Sequence, residues 1–439
     1  MRILLYTAYP WHLPSGQVAV WRWATAPGYQ SWPSDNPSSE TWLPCVERPA
    51  DLVLSIPAPG ESGRGSAAEG RLVLANPLDR QTGRGARPLN ALVTEHVTQG
   101  RRILVQEIRP DQPLSSAVTI FDGVMGAAEI ERGRVMLTIR DRSDDFDAAL
   151  LTETYSGAGG LNGPAPLKDK TRERCFGYVQ YCEPTYLGVI DGLHVYSMNG
   201  GHPIDAVEAF GDAGRPRPYV AGTPTGEQWT YDAATGLIRC GGASAPEAPW
   251  ARVRGDRTGN YYRSNIGALA AFWVGGLTGK RTAGEIDWDS VGVLDATPRP
   301  IGLYIPAGAG VTIRDALDRA LGSIWGGYWT HGAPGKFRVG RVPTTAAAPM
   351  ARYRAGANCG PIKPASGAPA AAAKKVTWRF APNFAPIDQP TPAATVDEAA
   401  RAKTDYLEES TPENTAVATA WGGAAREVTV DSLLALRAD

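Results

Sequence analysis

Gly188-Val189-Ile190-Asp191-Gly192-Leu193-His194-Val195-Tyr196 is the stretch on which the reading of the fold turns. Two short runs rich in β-branched and aromatic residues flank an Asp-Gly pair. Asp-Gly suits the two left-handed positions of a type I′ turn, whose twist matches that of paired strands, so the stretch predicts a β-hairpin. The same pattern recurs on both sides. Ala128-Glu129-Ile130-Glu131 and Val135-Met136-Leu137-Thr138-Ile139 flank Arg132-Gly133; Trp229-Thr230-Tyr231 and Leu237-Ile238-Arg239 are joined through Thr235-Gly236. Further on, Gly327-Tyr328-Trp329-Thr330 and Lys336-Phe337-Arg338-Val339-Gly340-Arg341-Val342 surround the turn His331-Gly332-Ala333-Pro334-Gly335. Chained hairpins make antiparallel sheets.

Toward the N-terminus, Gln17 to Trp23, Asp51 to Ile56, Arg71 to Leu74, Arg102 to Gln106 and Ala117 to Phe121 alternate apolar and polar residues. Period two predicts strands with one face on a core. Pro57 to Gly70 is too long for a hairpin turn and reads as an exposed loop. Tyr155-Ser156-Gly157-Ala158-Gly159-Gly160-Leu161-Asn162-Gly163-Pro164-Ala165-Pro166 is too rich in glycine and proline for regular structure and marks a boundary. Cys175 to Tyr181 resumes the strands.

Two helices stand out. One is expected to be capped by Ser264, with Ile266, Leu269, Phe272 and Trp273 on one stripe and an interruption at Gly275-Gly276. The other starts at Thr312 with Asp315 completing a capping box, carries Ile313, Ala316, Leu317, Ala320, Leu321 and Ile324 on its apolar side, and is expected to end at Gly326-Gly327. Lys363 to Ala373 reads as a linker, Lys375 to Phe380 as a strand, and Arg426 to Leu436 as an extended run turning apolar with no closing element, as in a domain cut short. The expected fold is mainly β with an α+β part, in four domains: 1–155, 156–255, 256–345 and 346–439.

At 439 residues, several cores are available. The 43% hydrophobic and 20% charged fractions suit a folded chain, and 50 glycines with 36 prolines imply frequent turns. Lysine plus arginine (44) and aspartate plus glutamate (45) nearly cancel, so no net field draws the chain to nucleic acid or an anionic membrane. Neither sequence-specific nucleic-acid binding nor stable membrane insertion is expected: no apolar run would span a bilayer, and Pro10 follows too closely on Met1-Arg2-Ile3-Leu4-Leu5-Tyr6 for a signal core. A soluble chain made in the cytoplasm is expected. Cys45, Cys175, Cys182, Cys240 and Cys359 are odd in number and scattered, which predicts reduced thiols.

Two blocks carry a resemblance. Leu167-Lys168-Asp169-Lys170, Cys175-Phe176-Gly177-Tyr178-Val179, Pro184-Thr185-Tyr186-Leu187, Leu193-His194-Val195-Tyr196 and Pro203-Ile204-Asp205-Ala206-Val207 form the first, and Val311 to Asp318 with Gly335 to Arg341 the second. Their order resembles tail-tip hub proteins, the baseplate hubs of long-tailed bacteriophages and gene transfer agents, over most of residues 165–345. Gln180-Tyr181-Cys182-Glu183 departs from the Asn-Val pair of those proteins, and Val207 to Asp212 lacks their tyrosine. The resemblance implies antiparallel, β-barrel-like tube domains with a small helix-plus-hairpin module. It implies a homotrimeric ring, or six copies as the second choice, at the distal end of the virion tail. Such a ring joins the tail tube and distal tail protein to the tip and fibre proteins and passes host binding on to DNA ejection. It is a structural role, with no catalytic residues, cofactor or metal.

Cys175 and Cys182 with His194 and His202 are the one set of soft ligands close in sequence, but zinc ligands usually come in pairs two to four residues apart. Two buried thiols and two loop histidines are the plainer account. An iron–sulfur cluster needs four cysteines, and these five do not cluster. The acidic run Asp141-Arg142-Ser143-Asp144-Asp145-Phe146-Asp147 lacks the glycine and distal glutamate of a calcium loop, so solvated charge at a strand end is expected. Trp11, Trp21, Trp23, Trp32 and Trp42 are read as core and interface anchors, with a sugar-stacking face as the rival. That rival would make the chain a carbohydrate-binding or carbohydrate-degrading tail protein. Arg80, Arg84, Arg87, Arg101 and Arg102 are candidates to line a channel or to pair with a neighbouring subunit.

Overall fold

The computed structural model describes residues 2–52, 63–64, 69–76, 89–131, 133–332, 335–342 and 373–436. The chain is multidomain and mainly β, with several antiparallel sheets, one of them nearly closed like a barrel, and among the described residues no long helix. The hairpin at Asp191-Gly192 forms as its sequence demands: Thr185–Ile190 pairs with Leu193–Ser197, and the turn residues take φ of 54° and 77°. It belongs to a four-stranded sheet with Leu237–Cys240 and Trp229–Asp232. A five-stranded sheet runs Arg215–Pro216, Ile204–Asp212, Pro249–Asp256, Arg174–Cys182, Gly302–Ile305. Both sheets feed one core of Cys175, Val179, Tyr196, Phe210, Trp229, Ile238 and Val253.

The N-terminal region is built on an antiparallel sheet of seven strands, in the order Trp21–Ala24, Ile3–Ala8, Arg102–Ile108, Val118–Glu131, Arg134–Arg140, Glu69–Ala75, Val46–Arg48. Alternation sends Tyr6, Trp23, Ile103, Val105, Leu137 and Ile139 to one face, where they pack with Leu89 and Leu92. The other face is covered at one end by Tyr29 and Trp42 against Ile3, Leu5 and Ile108. The predicted run from Gln17 to Trp23 is two short strands, Gln17–Val18 and Trp21–Ala24. Asp51 and Leu52 are not in a strand, and Val53 to Ile56 lie outside the described residues. Arg132 also lies outside them; Gly133, with φ 83°, supplies the turn. The supposed loop from Pro57 to Gly70 is not all exposed: Gly63–Arg64 runs parallel to Gly327–Gly332, and Gly70 is already in the strand Glu69–Ala75. Between Tyr155 and Pro166, left-handed glycines at 157, 159, 160 and 163 frame short 3-10 turns, one at Gly160–Asn162 and one starting at Ala165.

Among the described residues there are six α-helices, not two: α1 (Asn90–Thr94), α2 (Ile266–Ala271), α3 (Trp288–Asp295), α4 (Ile313–Gly322), α5 (Val396–Lys403) and α6 (Thr415–Trp421). Ser264 does not cap α2. Asn265 holds the cap position, and the first-turn amides of Gly267 and Ala268 donate instead to the carboxylate of Asp295, at 2.9 and 2.8 Å. Nor do Gly275-Gly276 break that helix; it widens into a π-type turn, Phe272–Leu277, where a side chain on Gly276 would strike the Phe272 ring. The capping box at Thr312 is present, with Asp315 accepting from the Thr312 amide at 2.9 Å. α4 stops at Gly322, four residues before Gly326, whose φ of 70° turns the chain into the strand Gly327–Gly332.

α2, α4 and the hairpin of Gly327–Gly332 with Lys336–Arg341 enclose the largest core, which includes Phe176, Trp273, Ile301, Leu317, Leu321, Trp329 and Phe337. Of the expected linker, residues 363–372 lie outside the described residues, and Ala373 begins the strand Ala373–Phe380. The C-terminal run does find partners. Arg426–Asp431 pairs parallel to Ala373–Phe380, and Leu433 and Leu434 enter the α+β core.

Candidate functional site

The acidic run ends a strand and its carboxylates stay partly in solvent, with Asp144, Asp145 and Asp147 50, 39 and 59% exposed, but they are also drawn into ion pairs. Ser143–Asp147 winds into a 3-10 turn that drops Phe146, fully buried, between Trp329 and Phe337, with ring centroids at 5.4 and 5.7 Å. Burying that ring brings the flanking carboxylates against arginines of the α+β module. Arg281, whose side chain is fully buried, donates to Asp145 Oδ2 and to the Arg142 carbonyl, each at 2.8 Å, and its guanidinium lies 4.6 Å from the Phe146 centroid. Arg142 reaches Glu285 at 2.7 Å, and Arg314 donates to Asp147 Oδ2 at 2.9 Å and to the Ser143 carbonyl at 3.1 Å. Arg102 holds Asp122 bidentately, at 2.9 and 2.7 Å, beside the hairpin tip at Gly335, where an added Cβ would sit 2.4 Å from the Asp122 Cβ. The N-terminal sheet and the α+β module are thus clamped by side chains from both. Planar, permanently charged guanidinium groups suit a clamp of several partners.

His331 completes the junction. It is buried, neither ring nitrogen has a hydrogen-bond partner, and desolvation together with the charges of Arg281 and Arg142 pushes it down to about 3. Burial opposes ionisation of Glu285, but hydrogen bonds from Thr282 and Arg142 outweigh it and hold the carboxyl at about 2. The sequence signalled the carboxylates and Arg142; it gave no sign that Arg281, Arg314 and His331, more than a hundred residues on, would meet them.

The soft-ligand set does not assemble. Cys175 Sγ and Cys182 Sγ lie 4.0 Å apart in the core, but His194 Nδ1 is bonded to the Tyr186 hydroxyl at 2.9 Å and His202 Nε2 to Glu153 at 2.7 Å. Among the described residues no three histidine, cysteine or acidic side chains converge as a metal would need, and Cys45, Cys175, Cys182 and Cys240 are free thiols. Burial pushes the Cys45 and Cys240 thiols up to about 11. Beneath the thiols lies a buried polar layer. Arg174 pairs with Asp256 at 2.8 Å, Asn199 donates to Asp256 at 3.2 Å, and Tyr155 donates to Glu173 at 2.8 Å. Apart from Arg174 Nε, which has no hydrogen-bond partner, the members hold one another, and the layer orders the base of the strands.

Of the five N-terminal tryptophans, Trp23 and Trp42 are buried, Trp11 and Trp21 half-buried and Trp32 exposed. They do not form one platform. Val97, Trp11 and Val18 are register partners across a small three-stranded sheet and face outward together, with Leu13 and Val20 exposed beside them. Arg101 stacks over Trp11 at 5.0 Å; Arg80, Arg84 and Arg87 lie outside the described residues. No helix among the described residues is long and apolar enough to cross a membrane.

No protein-family model matches this chain, and no curated protein does. Among solved structures, a chain of the virion of a native gene transfer agent particle is similar at 13% identity and a TM-score of 0.25, over 58% of this chain and 80% of that one.

Proposed function

We propose that this chain is a structural component of a phage-type tail tip: a hub that closes into a homotrimeric ring, six copies being the second choice, between the tail tube with its distal tail protein and the tip and fibre proteins. It works by rigid assembly at the distal end of the virion tail, without turnover of a substrate. The observation that carries this reading is where the resembling residues lie. Cys175, Phe176, Val179, Leu187, Val195, Tyr196, Ile204 and Val207 from the first block, and Ile313, Ala316, Leu317, Phe337 and Val339 from the second, are all buried. The resemblance is therefore carried by scaffold, and it covers the two central β and α+β units together.

Two further features support assembly. The outward row Val97-Trp11-Val18 is an apolar stripe of the kind that subunit contacts cover. The clamp around Phe146 and Arg281 makes the N-terminal sheet and the α+β module one body, which a ring that transmits force requires. Light scattering on the purified chain tests the proposal, with a mass three times that of one chain expected and a single-chain mass after Val18→Asp. A single-chain mass at every concentration, together with images placing the protein away from the tail axis, would overturn it.

A further inference from the structure

The face of the N-terminal sheet that Tyr29 and Trp42 leave uncovered forms a cleft. Cross-strand partners project to the same side, so Arg22, Thr7 and Leu104 lie in one row, with Gln106 two residues along the same strand. Above them the chain between Ala24 and Val46 contributes Asn36 and Pro37, and the 3-10 turn Leu114–Ser116 contributes Leu114 and Ser115. Tyr9, Val20 and Trp42 complete the walls of a cleft of about 410 Å³ that opens to solvent. The buried carboxylate of Asp35 ties the two rims together, accepting from the amides of Trp32 at 2.7 Å and Leu114 at 2.8 Å. The cleft is thus held open in advance.

Its polar lining is almost all uncharged: two carboxamides, hydroxyls and a phenol. The one charge, Arg22, is matched by Glu40 at 3.0 Å and stacked 5.4 Å from the Trp42 ring. Among the described residues no hydrogen bond engages the side-chain amides of Asn36 or Gln106, so each offers both donors and an acceptor to a ligand. Amides and hydroxyls beside a tyrosine ring and the methyls of Val20 and Leu104 match a molecule with alternating hydroxyls and C–H faces; a charged ligand would find no unpaired partner. We infer that this cleft is a binding site for a neutral saccharide. The cleft shares Val20 with the edge of the proposed ring contact but does not depend on that contact.

Purified full-length chain applied to an array of neutral and anionic glycans tests this. Retention of neutral glycans, insensitive to added salt, is the expected result. The double substitution Asn36→Ala with Gln106→Leu, checked for unchanged circular dichroism and elution volume, should weaken binding at least about tenfold, since it removes two hydrogen-bonding groups. Three outcomes would overturn the inference: no glycan retained, retention of anionic glycans alone with loss in salt, or full binding by the double variant. None of these would alter the oligomeric mass, so the failure of this site and that of the ring remain distinguishable.

Discussion

α4 and α5 begin in the same way and are held in different ways. Thr312 accepts from the Asp315 amide at 3.0 Å while Asp315 accepts from the Thr312 amide; Thr395 accepts from the Glu398 amide at 3.3 Å while Glu398 accepts from the Thr395 amide. Beyond the first turn the likeness ends. α4 buries Ile313, Ala316, Leu317, Ala320 and Leu321, whereas α5 buries only Ala402 and leaves Val396 85% exposed. Strands of the two regions differ in the same way: Arg174–Cys182 is largely buried, while Leu407–Ser410 is exposed throughout. A capping box fixes where a helix starts, and the apolar stripe fixes what it is fastened to.

The strongest way to break that comparison is to empty the same kind of site in both helices. Leu317→Ala opens a cavity in the largest core and should lower unfolding free energy by about 2–5 kcal/mol. Val396→Ala removes carbons already in water and should stay within about 0.5 kcal/mol. Equal losses in denaturant titrations would mean that the C-terminal region is packed as firmly as the α+β module.

A second, smaller effect reads the dryness of the module. His331 is held neutral in the folded protein, down to about pH 3, whereas the unfolded chain takes up its proton near the ordinary histidine value of 6.5. Between those limits the unfolded state binds more protons, so folding loses about 1.4 kcal/mol for each unit of acidification below 6.5. Above 6.5 the group contributes no slope. His331→Phe keeps a ring in the site and removes the titration, and its stability should fall less steeply than that of the parent between pH 6 and pH 4, as measured by urea unfolding at fixed pH. Glu285 adds its own loss only below about 4.5, where it begins to protonate in the unfolded chain. Parallel acid limbs for parent and variant would show that His331 already meets water in the native state.

These contrasts also explain what could be read from the sequence. The hairpins at Asp191-Gly192 and Thr235-Gly236 were legible because turn chemistry and alternation both sit within about ten residues. α4 was legible because its cap and stripe agree. α5 carries the same Thr-x-x-Glu signature, but Val396, Ala399 and Ala402 make too thin a stripe to register, and α3 was hidden because Val291 and Leu294 are its only buried apolar residues. The clamp was half legible: Asp144, Asp145 and Asp147 were visible as a group, yet their partners Arg281 and Arg314 are brought in by tertiary packing, which local pattern does not encode. Asp295 capping α2 from the end of α3 belongs to the same class of contact. The cleft on the N-terminal sheet was not legible either, because Asn36 and Gln106 reach it from segments with no shared signal.

The smallest effect separates the two capping boxes themselves. Thr312→Ala and Thr395→Ala each delete one side-chain acceptor and should each cost about 1 kcal/mol locally. What differs is how far the cost spreads. α4 is fastened through five buried side chains to the core that also holds Leu433 and Leu434, so loosening its first turn destabilises the whole cooperative unit and lowers the global midpoint. α5 is fastened through Ala402, so loosening its first turn should raise amide hydrogen exchange over residues 396–403 while the global midpoint stays in place. Exchange measured by mass spectrometry beside a urea titration distinguishes the two. If Thr395→Ala moved the global midpoint as far as Thr312→Ala, burial would not be what sets the reach of a cap in this protein, and the contrast between the two helices would have to be sought in the strands they accompany.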